Sequence, residues 1–353
     1  MKEQIFEKQY EGLVGPFFVG KILAHKSALD RINLGDIPVP ITVEVDLADG
    51  FCNNKCSHCC FGNDKQSTPI FIKKEALIRT ITDLSGKGLK AVELVGGGEP
   101  TTHPEFKEIV ESLSQLGLDI GLVTNGLLLY QYRDILHLFS FIRISLDAGS
   151  EEVYFRTHGV DNFQSLIDNL LFLIRKRYIN AKKVGLGYLV MPNNIEDIEA
   201  AAELAARLKL RYIQYRPAAL DHNLAPQDIE IVKNRIRKLR LKYQREDTLI
   251  ISTENSWRQL EVERKLSSCH GSSLIMVIMA DGSIPLCNLK RRDSDYILGN
   301  IYTSSVEEIW FSENHKNLCN SINTHSCPLP CKIDTYNIYL HALKNDTMDI
   351  NFV

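Results

Sequence analysis

No stretch of this chain holds the run of about 20 apolar residues that spanning a bilayer requires. Its N-terminus, MKEQIFEKQYEGLVG, lacks the basic flank and long apolar core of a secretory signal. Neither sign of charge dominates: 41 Lys and Arg face 44 Asp and Glu, a net charge of −3. That balance gives no global electrostatic reason to expect a nucleic-acid or membrane partner. A cytoplasmic protein is expected. There is no internal repeat and no low-complexity tract. The ten histidines show no metal-ligand spacing, and His103 before Pro104 reads as a helix-entry residue. Cysteine, finally, is absent from all 208 residues between Cys60 and Cys269.

What is present is sharply placed. Nine cysteines fall into two groups, four between residues 52 and 60 and five between 269 and 331. With nothing pointing to secretion, disulfides are not expected. Two thiol clusters at opposite ends of a chain point to two metal sites. The 353 residues, 44% apolar and 24% charged, suit one large domain with a smaller one.

The hydrophobic pattern predicts a lead-in over residues 1–40, closed by Pro38 and Pro40. Strands are then expected at Ile41–Leu47, Ala91–Val95, Ile120–Thr124, Phe141–Leu146, Val184–Val190 and Tyr212–Tyr215. Helices are expected between them, at Lys74–Ser85, Pro104–Leu116, Leu127–Phe139, Asn162–Lys176 and Ile195–Leu208. Short Val/Ile/Leu-rich strands alternating with helices specify an α/β fold with a parallel sheet. Six strands rather than eight favour a partial (β/α)6 barrel over a closed one. This core is placed at 41–220 and a helical linker at 221–268. The linker holds a basic helix over Asp228–Glu246, read as a solvated face. A small cysteine-rich domain follows at 269–353. It opens with a hairpin, Ser273–Ala280 and Ser283–Leu286 about Asp281-Gly282, and continues with a short helix at Ser305–Phe311.

The first cysteine loop, Cys52-Asn-Asn-Lys-Cys56-Ser-His-Cys59-Cys60, follows a strand, and its CxxxCxxC spacing lets three thiolates converge. A 4Fe–4S cluster usually takes four cysteines, so three from one loop leave one iron open to a ligand. A zinc site is the rival, although such sites generally show CxxC pairs and four closed ligands. Gly96-Gly97-Gly98-Glu99-Pro100 stands at the end of the next strand, where glycines let backbone approach a ligand and Glu99 supplies an anion. Thr124-Asn125-Gly126 and Ser145-Leu146-Asp147 end the following two strands. In parallel α/β sheets, ligands bind at the carboxyl ends of strands.

Over residues 41–220 these motifs resemble the radical S-adenosylmethionine (radical SAM) superfamily, with His58 where the family usually has an aromatic. The resemblance implies that Cys52, Cys56 and Cys59 hold the cluster. It places S-adenosylmethionine (SAM) against Gly96, Gly97, Gly98 and Glu99 and near Asn125, Ser145 and Asp147, with Val190 beside adenine. Arg216, at the end of the sixth strand and on the same side as Gln214, could hold a carboxylate or phosphate of substrate or cofactor. A structural ion pair is the alternative.

In the second group, Cys269 and Cys287 form C-x12-G-x4-C, and Cys327-Pro-Leu-Pro-Cys331 follows. Four thiolates there suit zinc or an iron–sulfur cluster. The pattern resembles the SPASM and twitch extensions of radical SAM enzymes. That implies one auxiliary 4Fe–4S cluster on Cys269, Cys287, Cys327 and Cys331, with Cys319 in reserve.

Two clusters and SAM are thus the implied cofactors, with flavodoxin or ferredoxin as electron donor. The expected activity is hydrogen abstraction from a small hydroxylated, sugar-like metabolite, with oxidation assisted by the auxiliary cluster. Alternatives are epimerisation, with Cys60 or Cys319 returning hydrogen, and modification of a peptide, for which the lead-in is short. The ending Asn351-Phe352-Val353 lacks the Gly-Gly typical of the first enzyme of molybdopterin assembly. A non-catalytic iron–sulfur scaffold or electron carrier is the reading from another class.

Overall fold

The computed structural model describes residues 19–60, 68–218, 224–243, 247–264 and 266–345. Residues 1–18 of the lead-in, 244–246 of the predicted basic helix and the terminal Asn351-Phe352-Val353 lie outside the described residues. The described lead-in carries a helix at Lys26–Asn33, and the basic helix runs Pro226–Tyr243.

Eight strands of one sheet are β1 (Thr42–Asp49), β2 (Ile70–Phe71), β3 (Ala91–Gly97), β4 (Asp119–Thr124), β5 (Phe141–Ser145), β6 (Val184–Val190), β7 (Tyr212–Pro217) and β8 (Leu249–Ser252). They neighbour one another in the order β2-β1-β3-β4-β5-β6-β7-β8, and β9 (Ile275–Ile278) also pairs with β1. Apart from the two-residue β2, every pairing in this sheet is parallel. The six strands expected from the sequence are all present. The β7 rim carries β8 in addition and the β1 rim carries both β2 and β9, and β8 and β9 do not pair, so the barrel stays open.

The strands read as apolar runs because helices cover their outer face and side chains fill part of the inside. On β6, Val184, Leu186, Tyr188 and Val190 are buried against helices, so the alternation of a strand sends Gly185, Gly187 and Leu189 inward. Leu77, Ile81, Leu84, Phe106, Ile109 and Leu113 present the matching apolar faces of the helices Lys74–Lys87 and Phe106–Gln115. Fully burying a side chain of this size contributes about 1.5–3 kcal/mol relative to leaving it exposed.

Two expectations change. The helix expected over Leu127–Phe139 is two short 3-10 turns, Leu129–Tyr132 and Leu136–Leu138. Its buried residues Leu129, Leu136 and Phe139 do fall at helical spacing, i, i+7 and i+10, which is why the pattern reads as one helix. The amine of Lys183 binds the carbonyls of His137 and Phe139 at 3.2 and 2.8 Å, satisfying groups that a longer helix would have used. A helix at Glu151–His158, not read in the sequence, follows Asp147.

The cysteine-rich part is tied into the barrel. Its expected hairpin does turn at Gly282, where φ is +83°, and the amide of Met279 donates to Ser283 O at 2.9 Å. The ladders run elsewhere, however: β9 pairs with β1, and β10 (Ser283–Pro285) pairs with β11 (Ile297–Asn300). Arg291 completes the join through a buried ion pair with Asp46 on β1.

Candidate active site

β1 delivers the chain to the first cysteine loop, which is held in place by its backbone. Lys55 N donates to His158 O at 2.8 Å and Ser57 N to Thr157 O at 3.2 Å, docking the loop on the end of the helix Glu151–His158. Asn54 N points at Cys52 Sγ at 3.4 Å, and Asn125 Nδ2 lies 3.8 Å from the same sulfur and 2.5 Å from Asn53 Oδ1. Amide donors aimed at sulfur favour a thiolate, yet burial dominates and raises Cys52, Cys56 and Cys60 above the usual thiol range. Each of Cys52 and Cys56 also feels the charge of Cys59, so the three sulfurs face a common space. Mutual repulsion of this kind is relieved when thiolates bind iron. Among the described residues no three His, Cys, Asp or Glu side chains stand close enough to hold a single metal ion. A cubane suits such a spread better than one zinc does, because each cysteine binds a different iron.

The glycine run does more than line a ligand. A Cβ on Gly98 would lie 2.2 Å from Phe51 O, and one on Gly97 2.7 Å from Asp49 Oδ1. Glu99 N then donates to Phe51 O at 3.0 Å. The absent side chains therefore let the end of β3 press directly on the backbone that leads into Cys52.

Glu99 is 3% exposed, and its carboxylate is occupied within the protein. Oε1 accepts from Thr101 N, Thr101 Oγ1 and Thr124 Oγ1 at 3.1, 2.6 and 2.6 Å, and Oε2 accepts from Asn125 N at 2.8 Å. A carboxylate has about two acceptor positions per oxygen, so Oε1 is saturated while Oε2 keeps one. Burial raises its pKa, and these four donors work against the rise. The carboxylate thus clamps the ends of β3 and β4 together.

Asp147 occupies the left-handed region at φ +51°, an uncommon conformation for a non-glycine residue. Its Oδ1 accepts from Leu189 N at 2.6 Å, and Oδ2 lies 3.1 Å from His58 Nε2 and 3.7 Å from His158 Nε2. Burial would raise this carboxyl, but the hydrogen bond and charge of His58, the charge of His158 and the Leu189 amide together hold it below its ordinary value. Burial pushes His158 down to about 4, and its ring stacks on Tyr154 at 4.3 Å between centroids. His58 thus replaces the usual aromatic with a polar tie from the cysteine loop to the end of β5. Ser145 sits beside it as the last residue of β5. This network was not read in the sequence, because His158 and Asp147 belong to separate elements.

Val190 requires correction. It is fully buried among the helices, and Leu189, one residue earlier, lines the interior. A one-residue offset reverses the face of a strand. Cys60 does line the interior, next to His58 and Cys59. Cys319 does not: it is 2% exposed in the C-terminal apolar cluster, with its sulfur 3.4 Å from Ser272 Oγ. That places it out of reach as a hydrogen donor to the interior. The cavity itself has a volume of about 1560 Å³ and extends from Ser57–Cys60 down into the barrel, past Glu93, Arg143, Gln214 and Arg216. The two β7 residues share it, as alternation requires.

In the C-terminal part, Cys269 and Cys287 are buried, and Cys327 and Cys331 are half-buried beside them. Burial raises Cys287 to about 12 and Cys331 to about 11, and the charge of Cys269 adds to both and to Cys327. Gln259 grips Cys331 by accepting from its amide at 2.6 Å and donating to its carbonyl at 3.0 Å. Asn337 Nδ2 lies 3.1 Å from Cys269 Sγ. The four thiols expected to share a cluster do gather, with Arg264 and Lys290 near Cys327 to offset thiolate charge.

The model for the radical SAM superfamily matches residues 50–205, and that for SPASM, an iron–sulfur cluster-binding domain, matches residues 269–333. The chain belongs to the radical SAM superfamily and carries a SPASM domain. Both domains imply 4Fe–4S clusters, and the radical SAM domain implies SAM. This radical SAM chain is 29% identical over 205 residues to a probable GTP 3′,8-cyclase of Saccharolobus islandicus (strain M.14.25 / Kamchatka #1), a match covering 55% of the chain. That match takes in 64% of the relative, just under two thirds of its length. A probable GTP 3′,8-cyclase of Thermococcus kodakarensis is 23% identical over 282 residues, covering 73% of this chain and 88% of its own. Among solved structures, Streptococcus suis SuiB bound to precursor peptide SuiA is similar with a TM-score of 0.68 at 16% identity, covering 86% of this chain and 71% of SuiB. The enzyme anSMEcpe with bound AdoMet gives 0.61 at 15% identity, covering 88% and 98%. At such identities the likeness shows the shared fold. No helix among the described residues is long and apolar enough to cross a membrane.

Proposed function

We propose that this radical SAM enzyme abstracts hydrogen from a small hydroxylated metabolite held inside the barrel and oxidises it, the auxiliary cluster accepting the surplus electron. The cavity that begins at the first cysteine loop and continues into the barrel carries this reading. At about 1560 Å³ it exceeds the roughly 300–1,000 Å³ of ordinary ligand pockets, which suits a cofactor together with a compact substrate. Cys52, Cys56 and Cys59 would hold a 4Fe–4S cluster, which would supply the electron for reductive cleavage of SAM.

The chain's own residues position and enclose. Asn125 and Asn54 orient Cys52, the Glu99 clamp aligns the ends of β3 and β4, and Asp147 fixes His58 and Leu189 about the cavity mouth. The glycine run and Glu99 would hold the methionine end of SAM, and Ser145 and Leu189 would border its nucleoside. Cys269, Cys287, Cys327 and Cys331 hold the auxiliary cluster on the side of the barrel where β9 joins β1. Flavodoxin or ferredoxin is the proposed electron donor.

The experiment supplies reduced, reconstituted protein and SAM with panels of hydroxylated metabolites and short peptides in deuterated water. One 5′-deoxyadenosine per two-electron-oxidised metabolite, without solvent deuterium at carbon, supports the proposal. Deuterium retained at an inverted carbon would replace oxidation by epimerisation with Cys60 as donor. Turnover of peptides alone would move the substrate class to that of a peptide-modifying enzyme.

A further inference from the structure

Inside the barrel, two arginines form no ion pair among the described residues. Arg143 on β5 and Arg216 on β7 both line the cavity, and the Nε of each is shielded without a hydrogen-bond partner. Gln214, 2% exposed on β7, likewise has its Oε1 shielded and unpartnered while lining the same space. Other charged side chains of the barrel are paired, among them Asp46 with Arg291, Glu44 with Lys332, and Asp147 with His58. Burying an unpaired cation is costly, and placing two near each other adds repulsion. Burial first, and then the charge of Arg143, lowers Arg216 to about 10, with the charges of Asp147 and Glu93 working against the fall, and it stays a cation at neutral pH.

The chain makes room for this arrangement. In register, Arg143 stands opposite Gly185 of β6, and Gly187 stands opposite Gln214 of β7. A Cβ on Gly187 would touch Arg143 Cδ at 3.5 Å, so the arginine side chain climbs across bare backbone toward the Gln214 row. A Cβ on Gly185 would lie 2.1 Å from the Tyr212 ring, which covers that position in turn. With β6 stripped to glycine on its inner face, the guanidinium groups of β5 and β7 approach one space from both sides. Glu93 of β3 lines the same cavity, and its charge acts on Arg216.

We propose that Arg143, Arg216 and Gln214 form a subsite for an oxyanion of the substrate, a carboxylate or a phosphate. Two planar guanidinium forks suit such a group, and the Gln214 amide completes the recognition. The anionic end of the substrate then sits within the barrel, and its reacting carbon points toward the strand ends, where Cys59 and His58 stand. Glu93 faces the remainder and favours a hydroxyl or ammonium there. This rests on the radical SAM reading only for the direction in which the substrate points.

The test measures anion binding itself. Full-length reconstituted protein is titrated with inorganic phosphate, with acetate and with SAM, at constant ionic strength against chloride, following the thermal midpoint. Saturable stabilisation by phosphate or acetate is expected, and the stronger of the two names the oxyanion. Arg143→Gln and Arg216→Gln should each weaken that response by on the order of 10- to 100-fold, the loss of a charged hydrogen bond. Arg143→Lys should recover part of it, showing that the variants fold. Wild-type protein indifferent to both anions would overturn the proposal. So would a loss of SAM affinity in both glutamine variants with the anion response intact, because the arginines would then serve the cofactor. If wild-type protein binds an anion through these residues but no SAM, the subsite stands and the proposed chemistry fails, so the two failures are distinct.

Discussion

Replacing Gly98 by alanine should loosen the first cysteine loop through one methyl group. The added Cβ would stand 2.2 Å from Phe51 O, 3.1 Å from Phe51 C and 3.3 Å from Ala48 O. All three are backbone atoms, and no rotamer change can move them. A carbon–oxygen contact settles at about 3.3 Å, so the loop entrance must withdraw by roughly 1 Å. The Glu99 N to Phe51 O bond, 3.0 Å long, does not survive that shift intact. Overpacking costs about 1–3 kcal/mol and the hydrogen bond about 1 kcal/mol, so Gly98→Ala should lose roughly 2–4 kcal/mol. The urea midpoint of the cluster-free protein reads the stability. Iron content after anaerobic reconstitution reads the displacement of Cys52. A Gly98→Ala protein with wild-type midpoint and wild-type iron loading would refute the packing argument.

Asp147→Asn keeps shape and tolerates the left-handed backbone but removes the charge facing His58 and His158. SAM affinity should fall about tenfold or more through displacement of His58 and Leu189, and equilibrium binding checks it. Burial holds His315 down to about 4, with its Nδ1 donating to Trp310 O at 2.7 Å. A histidine depressed on folding contributes stability that is complete above its unfolded pKa of about 6.5 and is lost as pH falls toward 4. His315→Asn should flatten that part of the stability profile, which is worth up to about 3 kcal/mol; an unchanged slope between pH 6.5 and 4 would contradict the assignment. Iron analysis should find about eight irons per chain, two four-iron cubes. Four would remove the auxiliary cluster, and Cys287→Ala should cost about four without touching SAM cleavage chemistry at the first loop.

Much of this was legible in the sequence because the relevant signals are local. CxxxCxxC, the glycine run and the strand ends at Asn125 and Asp147 each lie within a few residues, and alternation placed Gln214 and Arg216 together. The barrel's rims were not legible. Leu249–Ser252 is too short to read as a strand by pattern, and nothing in Ile275–Ile278 says that it pairs with β1 rather than with its own hairpin partner. Roles decided by long-range partners were missed for the same reason. Glu99 is a clamp only because Thr124 and Asn125 reach it from β4, and Val190 yields to Leu189 only because helices cover β6 from outside. Arg143 looked like an ordinary strand residue until Gly187 showed where its side chain runs.

The central claim is that Cys52, Cys56 and Cys59 hold the cluster that cleaves SAM. Its most direct test is the yield of 5′-deoxyadenosine from SAM by the reduced, reconstituted protein and by a Cys52→Ala, Cys56→Ala, Cys59→Ala variant. Wild-type protein should form it, and the variant should form none while keeping about four irons at the auxiliary site. Equal yields from the two proteins, or no cleavage by a wild-type protein with both clusters loaded, would contradict it.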